Sequence, residues 1–131
     1  MPINFEKALG SHEQALMIQA RRASAISSNI VNADTPNYKA RDIDFKQALK
    51  KSQGDFLSMS QSHSNHIHAA GSDAMGIHLK YRTPLQPSLD GNTVDLDLEK
   101  SAYSENAVRY QTTLQFLTGR FKGMKNALAK E

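Results

Sequence analysis

The clearest periodicity in this chain runs through residues 103–128, YSENAVRYQTTLQFLTGRFKGMKNAL. Apolar or small side chains recur there at alternating steps of four and three: Tyr103, Ala107, Tyr110, Leu114, Leu117, Phe121, Met124 and Leu128. This spacing, kept for more than three heptads, is typical of the a and d positions of a coiled coil. It predicts one long helix with an apolar seam.

Both ends of this helix carry the expected signals. Residues 92–95 offer capping side chains, and Asp97 and Glu99 put negative charge at the positive end of the helix dipole. Lys125 lies near the other end, where cations are favoured. We therefore predict a helix over residues 95–129, about 50 Å long.

The residues beside the seam indicate contacts on more than one side. The flanking positions are mostly small or uncharged, as at Gln111, Thr113 and Thr118, whereas a two-stranded zipper usually carries Glu and Lys there. Gly119 and Gly123 each cost about 1 kcal/mol relative to Ala in a helix interior. A close approach by another backbone is the natural compensation for these glycines.

A second helix is predicted near the N-terminus. Leu9, Leu16, Ala23 and Ile30 recur every seven residues, and the pattern stops at Asp34-Thr35-Pro36-Asn37. Pro36 lacks an amide proton, and Asn37 tolerates a left-handed turn. Residues 23–33 carry no charge on any face, unlike a solvated surface helix. We therefore expect both terminal helices to be buried in an assembly of several chains.

The middle of the chain has a different character. Of the 42 residues from 51 to 92, 13 are Ser, Gly or Pro, and neither helix nor strand spacing persists. We predict a short helix over 44–50, then loop with at most one short strand pair around 77–81. The predicted fold is a single all-α domain over 1–131, with helices at 4–33 and 93–131 paired as a coiled-coil hairpin. Residues 34–92 form the turn and an irregular insertion.

Composition excludes several classes of function. The chain has 131 residues and no cysteine, so disulfides, thiolate metal sites and a cysteine nucleophile are excluded. The net charge of +3 is spread along the chain, and the pairs Arg21-Arg22 and Lys50-Lys51 lack an aromatic platform or recognition helix for nucleic acid. The first ten residues lack a secretory signal, and no run of about 18 apolar residues indicates a membrane span.

The candidate chemistry is sparse. His63, His66 and His68, with Asp73 nearby, match no structural zinc spacing, so polar residues of a loop are the preferred interpretation. A histidine-dependent metalloprotein remains an alternative, which predicts stoichiometric metal after purification. The sequence contains no phosphate-binding loop, dinucleotide fingerprint or nucleophile elbow. We therefore predict a protein that is not an enzyme and needs no cofactor.

One segment indicates a protein family more specifically than the composition does. SSNIVNADTPNYK, residues 27–39, resembles the N-terminal signature of the bacterial flagellar axial proteins, the rod and hook family. The resemblance continues in KARDIDF (39–45), GNTVDLD (91–97) and ENAVRYQ (105–111), and the short length is similar to that of rod members. It covers about residues 5–45 and 92–128. Asn37 stands where the family commonly has Gly, and Asn adopts the same left-handed turn.

The resemblance implies a structural subunit whose paired terminal helices stack into a hollow tube. It implies a periplasmic place in the rod of the flagellar basal body, reached through the flagellar export apparatus without a cleaved signal. The implied partners are further copies of the chain, the rod proteins FlgC, FlgF and FlgG, FliE, and the export gate and ring base.

Two groups of residues are predicted at the subunit interface. Those of the turn are Asn29, Ile30, Asn32, Pro36 and Tyr38. Those of the seam are Tyr103, Tyr110, Leu114, Leu117, Phe121 and Leu128. The alternative from another class is a small helical adaptor or export chaperone that binds one partner through its C-terminal helix.

Overall fold

The computed structural model describes residues 9–53 and 78–129. In these two ranges the chain forms α1 (His12–Val31), β1 (Arg41–Ile43), α2 (Phe45–Gln53), β2 (Leu79–Tyr81) and α3 (Leu96–Leu128). The architecture is mainly helical, with an N-terminal helix, a long C-terminal helix and a small two-stranded sheet between them. The predicted fold class is confirmed.

The ends of α3 follow the sequence signals closely. Asp95 is the N-cap, and its side chain accepts hydrogen bonds from the amides of Asp97 and Leu98 at 3.1 and 3.2 Å. The helix runs for 33 residues and ends at Leu128, one residue before the predicted end. The cap and the length of this helix were therefore predictable from local sequence.

The N-terminal helix is shorter than predicted within the described residues. Gly10 has a φ of +63°, a left-handed conformation that interrupts the helix, and α1 begins two residues later at His12. The predicted start at residue 4 lies outside the described part. The helix ends at Val31, and Asn37 takes the expected left-handed conformation with a φ of 60°.

Of the short strand pair predicted around 77–81, one strand lies there and its partner comes from a distant part of the chain. Leu79–Tyr81 is a strand, but it pairs antiparallel with β1, with Arg41 opposite Tyr81 and Ile43 opposite Leu79. The sheet therefore joins the segment after α1 to the segment before α3. The short helix predicted over 44–50 is present as α2.

The two long helices form an antiparallel hairpin. Asn29 of α1 donates to Glu99 of α3. Near the opposite end of α1, the rings of His12 and Phe116 lie with their centroids 6.0 Å apart and their planes tilted by 37°. On another side, α1 packs against α2 and β1. There Ile18, Ile43 and Ala48 form a small buried cluster covered by Phe45 and Leu49. In the described ranges, no helix is long and apolar enough to cross a membrane.

Candidate assembly interface

Polar side chains join α1 to α3 near the middle of their contact. Gln19 donates from Nε2 to Oγ1 of Thr113 at 3.2 Å, and Asn106 donates from Nδ2 to the Gln19 carbonyl at 2.9 Å. The side-chain oxygens of Gln19 and Asn106 are buried and have no hydrogen-bond partner within the described part of the chain. Buried polar atoms without partners cost stability, so this contact is weaker than an apolar one of the same size.

The apolar seam of α3 lies to one side of the surface that contacts α1. The residues turned toward α1 include Asn106 and Thr113, whereas Leu114 stands one position further round the helix. The seam residues at Tyr103, Tyr110, Leu114 and Phe121 are 39–47% exposed, and Leu128 is 82% exposed. Leu117 and Met124 are half-buried because they border both faces.

This exposed row is called the α3 stripe below and consists of Tyr103, Tyr110, Leu114, Phe121 and Leu128. A soluble monomer rarely exposes a continuous apolar row of this length, and such rows mark interaction surfaces. Gly119 and Gly123 meet no described atom within 4 Å of an added Cβ. The described part of the chain therefore does not itself supply the close backbone approach expected at these glycines.

Asn29 is completely buried where α1 meets β1 and α3. Its Nδ2 donates to the Arg41 carbonyl at 2.8 Å, and its Oδ1 accepts from the Arg41 amide at 3.1 Å. The side-chain amide thus pairs with β1 as a neighbouring strand would. It also donates to Oε2 of Glu99 at 3.2 Å and accepts from the Tyr38 hydroxyl at 3.3 Å. These bonds are within one chain, although the sequence placed Asn29 at the subunit interface.

An ion-pair network lies beside Asn29. Glu99 is 1% exposed and accepts from Nη1 of Arg82 at 2.6 Å, while Nη2 of Arg82 donates to Asp42 at 2.7 Å. Arg22 also donates to Asp42, from Nε at 2.9 Å and Nη2 at 3.1 Å. Arg22 belongs to α1, Asp42 to β1 and Glu99 to α3, and Arg82 directly follows β2. The network therefore connects both long helices to both strands.

The charges of this network shift two pKa values. Burial opposes the charge of Asp42, but hydrogen bonds from Arg22, Arg82 and the Ile43 amide outweigh it and lower the pKa of Asp42 below its usual value. The hydrogen bond to Asp42 raises the pKa of Arg22 against the effect of burial. Arg22 is thus paired inside the chain.

Asn92 secures the end of α1. Its Nδ2 lies 2.7–3.0 Å from the carbonyls of Asn32, Ala33 and Thr35, where the helix has ended and these acceptors lack helical partners. Its Oδ1 accepts from the Val94 amide at 2.9 Å. The segment before α3 is therefore fixed against the turn after α1.

The remaining predicted turn residues lie at or near the surface. Pro36 is exposed, while Ile30, Asn32 and Tyr38 are half-buried. Asn32 donates to the Ser28 carbonyl at 2.8 Å and accepts from the Thr35 hydroxyl at 3.1 Å, so its side chain shapes the turn. Val31 beside them is 82% exposed. This surface adjoins the N-terminal end of α3.

Sequence reasoning missed the inward roles of Glu99, Arg82, Asp42 and Asn92. Glu99 was explained by the helix dipole and Asn92 by capping of α3. Their partners come from distant segments, so no local spacing revealed them. His63, His66, His68 and Asp73 lie outside the described residues, and the ranges 9–53 and 78–129 contain no group that could hold a metal.

Comparisons with known proteins agree with the geometry. Residues 9–39 match the family model described as flagella basal body rod protein. Over its whole length the chain is 45% identical to the flagellar basal body rod protein FlgB of Aeromonas hydrophila, an alignment that covers 100% of this chain and 99% of the relative.

Relatives from other bacteria match almost as fully. The flagellar basal body rod protein FlgB of Salmonella typhimurium is 43% identical over 132 residues, and that of Escherichia coli K12 is 41% identical over 130 residues. Each alignment covers 95% of this chain and 94% of the relative.

Proposed function

Because the chain belongs to the FlgB family of flagellar basal body rod proteins, we propose that it is a structural subunit of the proximal rod, the first part of the hollow drive shaft. Family membership makes it a component of the flagellum and a structural protein, not an enzyme. The finer assignment is that it assembles with other rod proteins, transmits torque, lets exported subunits pass and is needed for motility.

The α3 stripe is the observation that carries this proposal. A rod subunit must contact several neighbours at once, and this chain keeps large apolar side chains at Tyr110, Leu114 and Phe121 exposed along one helix. Each of these side chains is already more than half buried within the chain, so its complete burial in a subunit contact contributes about 1 kcal/mol. Close-packed apolar contacts of this kind suit a stiff shaft.

The subunit interface is proposed to consist of the α3 stripe, Leu117 and the surface of the turn at Ile30, Asn32, Pro36 and Tyr38. Asn29 acts indirectly, since its buried amide holds Arg41 and so shapes the turn. The partners that the family resemblance suggests are FlgC, FlgF and FlgG, FliE, and the export gate and ring base. The proposed site is the periplasmic part of the rod, reached by flagellar export without a cleaved signal.

Electron microscopy of basal bodies from a strain that lacks this chain tests the proposal, with swimming scored alongside. We expect rings without a rod, no hook or filament, and no swimming, and restoration of all of them by the wild-type chain supplied in trans. Normal rods and filaments in the deletion strain would overturn the proposal and favour an adaptor that binds one partner through α3.

A further inference from the structure

The small sheet has one edge that is closed by a side chain. The Arg82 amide donates to the Ala40 carbonyl at 2.9 Å. In the same register, Arg41 lies opposite Tyr81. Because hydrogen-bonded and non-hydrogen-bonded pairs alternate along an antiparallel ladder, the main-chain groups of Arg41 and Tyr81 point away from each other. Those of Arg41 meet the side chain of Asn29, which binds both its amide and its carbonyl.

The outer edge of β2 has no such cover. By the same alternation, the amides and carbonyls of Leu79 and Tyr81 point away from β1. Within residues 9–53 and 78–129 the sheet has two strands, and no hydrogen bond reaches these four groups. The side chains of Leu79 and Tyr81 share one face of the strand and are 50% and 67% exposed. An open edge with exposed apolar side chains is a template for a further strand.

The charges around this edge are basic. Residues 78–89 contain Lys80 and Arg82 and no carboxylate. The guanidinium of Arg41 lies 5.2 Å from the centre of the Tyr81 ring, and the side chain of Lys80, on the other face of the strand, is 55% exposed. Residues directly opposite each other on neighbouring strands interact, and opposite charges stabilise the pair. A strand with an acidic residue opposite Lys80 and apolar residues on either side therefore fits this edge.

The strand β2 of a second copy does not meet this requirement. Antiparallel pairing of two copies of β2 through their outer edges places Lys80 opposite another Lys80. In the two neighbouring registers, Lys80 lies opposite His78 or Arg82. No carboxylate meets Lys80 in any of these pairings.

Other segments of the chain that have the required pattern are already part of the fold. Three described acidic residues have apolar neighbours on both sides in the sequence: Asp44, Asp95 and Asp97. Asp44 joins β1 to α2, Asp95 is the N-cap of α3, and Asp97 lies in the first turn of that helix. The described part of the chain therefore offers no free strand of this pattern, which favours a different protein as the occupant.

We propose that the outer edge of β2 binds a strand from another protein of the rod, an extended segment with an acidic residue between two apolar residues. Main-chain hydrogen bonds to Leu79 and Tyr81 hold this strand, and its alternate side chains give specificity. The contact belongs to the assembled rod and therefore rests on the proposed function. It adds a second docking surface, separate from the α3 stripe.

Photo-crosslinking identifies the occupant of the edge. The full chain, with p-benzoylphenylalanine in place of Tyr81, is expressed in the deletion strain, and isolated basal bodies are irradiated. Mass spectrometry then sequences the crosslinked peptides. We expect a peptide from a different protein that contains an acidic residue between two apolar residues. Crosslinks to this chain alone, a partner peptide without that pattern, or no crosslink would each overturn the proposal.

Proline substitution tests the main-chain hydrogen bonds. Leu79→Pro removes an outward amide, and edge strands accept proline at such positions. His78→Pro is the matched control, because the alternation places the amide of residue 78 on the side of β1. Leu79→Pro should form about fivefold fewer rods than the wild type, the factor for one lost hydrogen bond of about 1 kcal/mol, and His78→Pro should stay within about twofold.

A further variant separates the amide from the side chain. Leu79→Ala keeps the outward amide, so it should form more rods than Leu79→Pro. Wild-type rod numbers with Leu79→Pro, or equal losses in Leu79→Pro and His78→Pro, would overturn the proposal. Rod formation in the deletion strain without any supplied chain tests the proposed function separately, so the two proposals fail through different results.

Discussion

Nη1 of Arg82 donates to Oε1 of Glu99 at 2.6 Å, and Glu99 is almost completely buried at the start of α3. Arg82 follows β2 directly, and its amide donates to the Ala40 carbonyl just before β1. This ion pair therefore links the small sheet to the hairpin of long helices. Because Glu99 is buried at the start of α3 and its cation comes from the end of β2, the pair helps to fix the position of α3.

Arg82→Ala should destabilise the chain by about 3 kcal/mol, since it leaves the Glu99 carboxylate buried without its cation. Urea unfolding followed by circular dichroism measures the change in the free energy of unfolding. Arg109→Ala is the matched control, because its ion pair with Glu105 is exposed and should cost under about 0.5 kcal/mol. Equal losses in the two variants would contradict the importance of the buried pair.

Asp42 should make the free energy of unfolding depend on pH in acidic solution. Its pKa is lower in the folded chain than the usual value of about 3.9, because Arg22 and Arg82 bind the charged form more strongly than burial opposes it. The unfolded chain therefore binds the proton first as the pH falls. Stability from this carboxylate is fully present above about pH 4 and is lost as the pH falls through the folded pKa.

Asp42→Asn isolates this contribution. At neutral pH the wild type should be more stable by about 1.5–3 kcal/mol, the range for hydrogen bonds to charged groups. The difference between the two proteins should stay constant down to about pH 5 and shrink below about pH 4. Urea unfolding at a series of pH values measures it. A difference that stays constant down to pH 2 would mean that Asp42 does not titrate in this way.

Alanine substitution should have opposite effects at a glycine in a left-handed turn and at a glycine inside α3. Gly91 has a φ of +73°, and an added Cβ would lie 2.6 Å from Oδ1 of Asn37, so Gly91→Ala should destabilise by more than about 1 kcal/mol. At Gly119, inside α3, an added Cβ would meet no described atom within 4 Å, so Gly119→Ala should raise helix stability by about 1 kcal/mol. Thermal unfolding compares the two variants, and a destabilised Gly119→Ala would show that the described surroundings of Gly119 are incomplete.

Features set by neighbouring residues were predictable from the sequence. The heptad spacing identified α3, Asp95 marked its start, and Pro36 with Asn37 marked the turn after α1. The partners of Asn29 and Glu99 were not predictable, because Arg41 and Arg82 reach them only when the sheet forms between distant segments. The seam itself was recognised, but periodicity alone did not reveal that α1 would pack beside it and leave it exposed.

Leu114→Asp should separate folding from assembly. Leu114 is 44% exposed in the single chain, so the variant should keep its helical content and lose less than about 1 kcal/mol of stability. In a packed subunit contact, however, the same aspartate would be a buried charge without a partner, which is strongly unfavourable. We therefore expect folded protein that forms no rods and does not restore swimming in the deletion strain.

Two companion variants make the Leu114 result specific to the stripe. Thr112→Asp introduces the same charge on the side of α3 away from the stripe. It should support swimming, because Thr112 is exposed and its hydroxyl donates to the Val108 carbonyl of its own helix. Leu117→Asp should fail in assembly and also unfold more easily, since Leu117 is half-buried within the chain. Swimming at wild-type level with Leu114→Asp would show that the stripe remains solvent-exposed in the rod, and the subunit contacts would then have to be assigned to the surface of the turn.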